Sequence, residues 1–93
     1  MTPRALAEAK RSKTWWRNNR PAAPGLFEQE FRAAVVTLRT TPIMGAPYSA
    51  EVGFPVRRVI LQRTAYHVYF GLKGDELVIL SVRGARRRRG PKL

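Results

Sequence analysis

The chain has no cysteine, one histidine, and six acidic residues against eighteen lysines and arginines in a length of 93. Each shortage removes a class of function. Without thiols there is neither a disulfide framework nor a thiolate metal site, and the composition fits a reducing compartment. One imidazole and scattered carboxylates offer no ligand cluster, so no metal is expected. No glycine-rich phosphate loop, Ser/His/Asp set or pair of glycosidase carboxylates can be assembled, and no cofactor is expected. Long apolar runs are missing too. Stretches such as "VIL" and "LVIL" fall far short of the roughly 20 residues a membrane helix needs, and "MTPRALAEAKRSK" holds no signal-peptide core. A cytoplasmic protein with no membrane partner is the expectation.

What the chain does have is positive charge. A formal net charge of +12 favours a polyanionic partner such as nucleic acid, an acidic protein or an anionic membrane surface, without choosing among them. A chain of this length makes one domain and buries only roughly 60–65% of its unfolded surface, so its core is small.

Thr2 is suited to cap a helix with Pro3 at its first position, and "RALAEAKRSKTWWRN" continues without a breaker, which predicts a helix over about residues 3–18. Its apolar stripe is thin: Leu6, Ala9 and Trp16, extended by Ala5 and Trp15. A second helix begins between Pro21 and Leu26. Phe27, Phe31, Ala34, Val35 and Leu38 share one face of a 3.6-residue period, and Thr41-Pro42 ends it. Residues 42–55, "PIMGAPYSAEVGFP", carry three prolines and two glycines and read as an ordered surface loop. Three strands are expected at about 56–63, 66–73 and 76–83, close enough in sequence to form an antiparallel meander. In the middle strand Tyr66, Val68, Phe70 and Leu72 alternate with His67, Tyr69 and Lys73. The last strand sets Val78, Leu80 and Val82 against Leu77, Ile79, Ser81 and Arg83. The fold class is therefore α+β, an N-terminal helical hairpin packed on a three-stranded antiparallel sheet. Residues 1–84 form the domain and residues 85–93 a basic tail with too little apolar surface to fold alone.

Read in order, "WWRNNRPAAPGLFEQEF", "P-x-x-G" at Pro42 to Gly45, "VRRVILQRTAYHVYF" and "LVILSVRGARRRRGP" resemble the RelE/ParE superfamily of bacterial type II toxin–antitoxin toxins, nearest to its plasmid-stabilisation, ParE-like branch. The similarity runs from about Thr2 to Pro91. The resemblance implies a toxin silenced by a cognate acidic antitoxin in a hetero-oligomer, with DNA gyrase or the ribosome and its mRNA as target. Two departures stand out. Members usually begin with a strand before the first helix, so here the sheet lacks one edge strand or the start lies upstream. Many carry histidine just after the last strand, where this chain has Gly84.

If the protein cleaves RNA, as the RelE side of the family does, a base, cationic stabilisers and an acid are needed. Arg58, Arg63 and Arg83 are the candidate cations, since a guanidinium fork suits phosphate, and His67, with an unperturbed pKa of about 6.5, is the candidate base. The plain alternative makes His67 an ordinary exposed strand residue and the arginines solvated strand ends that keep an apolar segment from aggregating. Target-binding candidates are Arg57, Arg58, Arg63, Tyr69, Arg83, Arg86, Arg87 and Arg88. Strand parity separates Arg57 from Arg58, so the arginines do not all face one way. Tyr66 is assigned to the core and Tyr69 to the open face, free to meet a base or a protein. Trp15 and Trp16 are read as packing anchors. Three functions are open: a gyrase poison without chemistry of its own, a ribosome-dependent mRNA endonuclease, and a non-toxic small basic nucleic-acid-binding protein.

Overall fold

The computed structural model describes residues 1–86 and 89–93; Arg87 and Arg88 lie outside the described residues. Two helices, α1 (Pro3–Asn19) and α2 (Leu26–Thr40), precede four strands, β1 (Ala46–Tyr48), β2 (Val56–Leu61), β3 (Tyr66–Lys73) and β4 (Glu76–Gly84). The strands form one antiparallel sheet in the order β1-β2-β3-β4. The α+β class and the helical hairpin stand as expected, but the sheet has four strands, not three. The added strand lies inside the segment expected to be loop. It is three residues long with Pro47 in its middle, which a sheet tolerates only where the missing N–H faces away from a partner, at an edge. Gly45 leads into it at φ +83°, and a Cβ there would overlap the Arg58 carbonyl oxygen and Val59. Only glycine permits that approach.

Thr2 caps α1 as the sequence predicts, its hydroxyl accepting the Ala5 N–H at 3.1 Å. The buried face of α1 differs from the expected stripe. Ala5, Ala9 and Ser12, at steps of four and three, are buried, whereas Leu6 and Trp15 are exposed. Small residues let the helix close onto β4. Phe27, Phe31 and Leu38 of α2 are buried as expected, and Phe27 stacks on Phe31 at 5.7 Å and meets Tyr66 at 4.7 Å. With Leu61, Val68, Phe70, Ile79 and Val82 they make the main core, between helices and sheet.

The imperfect alternation along β4 has its cause in a register shift opposite Tyr69 and Phe70. Tyr69 pairs with Ser81 and Phe70 with Ile79, leaving Leu80 as an extra residue. The shift reverses phase, so Val82 and Ile79 point to the helices while Leu80 and Val78 point to the other face. There Val56, Tyr69 and Leu80 form a second, smaller core, covered by Tyr48, Val52, Phe54 and Leu93. The C-terminal residues are thus packed where an unpacked tail was expected. Pro91 is buried and its carbonyl accepts the Tyr48 hydroxyl at 2.6 Å, and the Lys92 carbonyl accepts Arg4 at 2.8 Å. A proline and a terminal leucine provide the apolar surface that the arginine run conceals.

Both outer strands have a lateral edge. On β4, the Thr2 N–H donates to the Ile79 carbonyl (3.0 Å) and the Thr2 hydroxyl to that of Leu80 (3.3 Å). Glu8 Oε1 accepts the Ser81 hydroxyl (2.8 Å) and the Val82 N–H (3.1 Å). The first turns of α1 therefore occupy backbone groups that would otherwise offer themselves to another strand.

Candidate functional site

The pairing register assembles one group of charged residues on the sheet face away from the helices. Ile60 lies opposite His67 and His67 opposite Arg83, while Arg58 lies opposite Tyr69 one row along. Residues directly opposite in antiparallel strands project to the same side, so the register puts Arg58, His67 and Arg83 on one face, but Arg83, on the edge strand, lines a hollow on the α1 side and not the one beside His67. Met44, Ala46, Arg58, Ile60, Gln62 and His67 line a hollow of about 450 Å³ beside β1. Exposed Ile60 and Met44 make its floor part apolar.

Within this group the His67 ring is half-buried, edge-on to the Tyr69 ring at 6.1 Å. Burial first, and the Arg58 charge second, hold its pKa below the ordinary value, so the imidazole is neutral at physiological pH. A neutral imidazole accepts a proton. Among the described residues, however, its ring has no hydrogen bond that would fix a tautomer, and no carboxylate pairs with Arg58 or Arg83. The site has cations and one weak base but no acid.

Other candidates are placed elsewhere. Arg57 is engaged structurally: its Nε donates to the Met44 carbonyl at 3.0 Å and its Nη2 to that of Gly45 at 2.6 Å, fastening the approach to β1. Tyr69, expected on the open surface, is buried in the second core at 2% exposure. The face it occupies is the expected one, but Tyr48, Leu80 and the returning chain end cover it. Tyr66 packs against the main core as expected.

Arg63 sits in the β2–β3 turn, whose shape is set from α2. Glu30 accepts the Arg63 N–H (2.7 Å), the Thr64 N–H (2.9 Å) and the Thr64 hydroxyl (2.6 Å). Ala65 takes a left-handed conformation at φ 59°, and its carbonyl accepts the Ala85 N–H at 2.7 Å. Nothing in the sequence around Glu30 marks it as the anchor of a turn 33 residues on.

With the turn fixed, Arg63 lines a second depression on the α1 side of the sheet. There Arg20, Arg63 and Arg86 surround Trp15, Trp16 and Tyr66 in a hollow of about 350 Å³. It continues past Trp15, Tyr66 and Gly84 into one of about 300 Å³ bordered by Glu8, Arg11 and Arg83. Arg86 is exposed at its rim. Sequence reasoning misses this site by assigning Trp15 and Trp16 to packing. Trp16 does pack on the main core, but Trp15 is 44% exposed.

The chain is thus an α+β domain with two cation-bearing surfaces, and among its described residues no helix is long and apolar enough to cross a membrane. No protein-family model, curated protein or solved structure matches it.

Proposed function

We propose that the protein is a toxin of the RelE/ParE type, acting in the cytoplasm, held silent by a cognate acidic antitoxin and, when free, arresting growth by binding and trapping DNA gyrase. The order of elements, a helical hairpin followed by an antiparallel meander, is in keeping with that family. The observation that carries the non-catalytic mode is the surrounding of His67. It has the Arg58 guanidinium for a neighbour, no orienting carboxylate among the described residues, and glycine at position 84, where the resemblance implies a second proton-transfer group. General acid–base cleavage needs both a base and an acid within reach, and this face supplies the base alone. Arg58 with exposed Ile60 and Met44 makes a contact surface instead, cationic and part apolar.

One observation favours the second reading, ribosome-dependent mRNA cleavage. Arg58 and His67 line one hollow, and a neutral His67 is in the protonation state that takes a proton from a ribose 2′-hydroxyl while a guanidinium stabilises the charge growing on phosphate. A non-toxic nucleic-acid-binding protein is the third reading, drawn from net charge.

Inducible expression with and without an antitoxin gene, followed by gyrase supercoiling and ribosomal mRNA cleavage assays, separates the three. Growth arrest with lost supercoiling and intact mRNA is the expected result. Cleaved mRNA with normal supercoiling overturns the gyrase mode, and His67→Ala then abolishes cleavage. Unimpaired growth from a full-length, folded product overturns the toxin reading.

A further inference from the structure

We propose that the double hollow between the C-terminal half of α1 and the β3–β4 end of the sheet binds a short single-stranded nucleic-acid segment, with a base stacked on Trp15 and phosphates held by Arg20, Arg63 and Arg86. This inference does not depend on toxicity, and the surface is separate from the Arg58–His67 face.

Four observations carry it. The first is charge without compensation. Among the described residues, none of Arg11, Arg20, Arg63, Arg83 and Arg86 forms an ion pair, and the larger hollow has no carboxylate in its lining. Guanidiniums strung around a concave surface raise the local concentration of an anion. The second is the aromatic wall. Trp15 is half exposed, unusual for so large a ring, and stands edge-on to Trp16 at 6.0 Å. Base–aromatic stacking suits any base, because every base has a π face. Third, the guanidinium carbon of Arg20 lies over the Trp15 ring at 4.7 Å and that of Trp16 at 5.7 Å. One Nη of Arg20 donates to the Asn19 carbonyl at 3.0 Å, which holds the guanidinium by the ring, and its remaining in-plane N–H groups are positioned for phosphate beside the exposed Trp15. Fourth, two donors are buried without an acceptor, the Trp16 indole N–H and Nε of Arg83. Their residues line the two hollows, and an N–H of either kind is a donor that an oxygen-rich ligand satisfies.

Shape selects the ligand class. The depression consists of two joined hollows sharing Trp15, Tyr66 and Gly84, so it runs past the aromatic wall instead of ending at it. That is a course for a strand more than a pocket for one nucleotide. A duplex hides its bases from Trp15. Polarity is set by Glu8, which borders the smaller hollow and is committed to the β4 edge through Ser81 and Val82. Phosphates therefore lie at the Arg63 and Arg86 end.

Both tryptophans of the chain stand at this site, so their fluorescence reports on it directly. The full-length protein is titrated with a labelled oligothymidylate of about eight nucleotides, with inorganic polyphosphate of matched charge, and with an oligoglutamate peptide. The expected result is tryptophan quenching by the oligonucleotide. Trp15→Ala should weaken its binding roughly tenfold to a hundredfold, leaving polyphosphate binding unchanged. Trp15→Phe, which keeps a ring, should recover most of the affinity. Arg63→Gln should flatten the dependence of log affinity on log salt by about 0.7. Circular dichroism and a denaturation midpoint establish that each variant is folded. The proposal is overturned if Trp15→Ala weakens all three ligands alike, or if the oligonucleotide binds without quenching. Tighter binding of oligoglutamate than of the oligonucleotide also overturns it, and assigns the groove to an acidic protein segment.

Discussion

The two faces of the sheet are covered by different means. Toward the helices, Phe27, Phe31 and Leu38 meet Leu61, Val68, Phe70, Ile79 and Val82 in a continuous core between regular elements. On the other face Val56, Tyr69 and Leu80 are covered by a short edge strand, by Val52 and Phe54, and by the last residues of the chain. The first face is a packing surface throughout. The second is packed at the end of the sheet near Tyr48 and open at the end carrying His67, Arg58 and Ile60. A small domain has too little apolar surface to cover both faces of a sheet completely, and here the uncovered part is where charge gathers.

The comparison predicts unequal costs. Phe27→Ala, which removes a ring buried to 1% exposure between Phe31 and Tyr66, should destabilise by about 3–5 kcal/mol in urea denaturation. That is a large part of the roughly 5–15 kcal/mol such domains have. A loss below about 1 kcal/mol would mean the helix-covered face is not the main core. Glu30→Ala deprives the β2–β3 turn of the acceptor of three hydrogen bonds and should cost about 2–3 kcal/mol. Faster amide exchange at Thr64 should accompany that loss. Tyr48→Phe removes one bond, to Pro91, and should cost about 1 kcal/mol while exposing the C-terminal residues to limited proteolysis. Destabilisation equal to that of Phe27→Ala would erase the distinction between the faces.

The smallest effect is that of pH. The pKa of His67 is lowered on folding, so just below its unfolded value the unfolded chain holds more protons than the native one. The stability this group contributes is therefore complete above about pH 6.5 and is lost as pH falls through the window beneath it. Stability of the wild type should fall slightly more than that of His67→Gln across that window. NMR titration should find the imidazole pKa moved back toward its ordinary value in Arg58→Gln. An unmoved value would leave burial as the sole cause.

Much of the main core is legible in the sequence because it obeys a period. Phe27, Phe31 and Leu38 recur at helical spacing, and β3 alternates over eight residues. The second face escapes for identifiable reasons. Strand β1 is too short to display a period and contains Pro47, normally a sign against a strand. Leu80 is an inserted residue, and an insertion leaves composition unchanged while reversing the facing of the residues beyond it. Pro91 and Leu93 stand after four consecutive arginines and read as part of a charged tail. For the candidate sites, parity rightly separates Arg57 from Arg58. It has no means of foreseeing that Arg57 spends its donors on two carbonyls, or that Glu30 holds the turn carrying Arg63. Those contacts join distant parts of the chain through loops, where neither alternation nor helical spacing applies.

The bonds from Thr2 and Glu8 to β4 span 78 and 74 positions of the sequence, and the one from Arg4 to Lys92 spans 88. Residues that leave the ribosome early thus dock on residues that leave it late. While the chain is being made, α1 can meet α2 early, through the Lys13–Glu28 pair and the shared core, but its seat on the sheet is complete only when β4 has emerged. Until then the basic chain, with β4 not yet in place, is open to whatever polyanion or neighbouring strand reaches it first. Stalled or truncated products lacking β4 should accordingly be degraded or aggregate, with no stable helical fragment left behind.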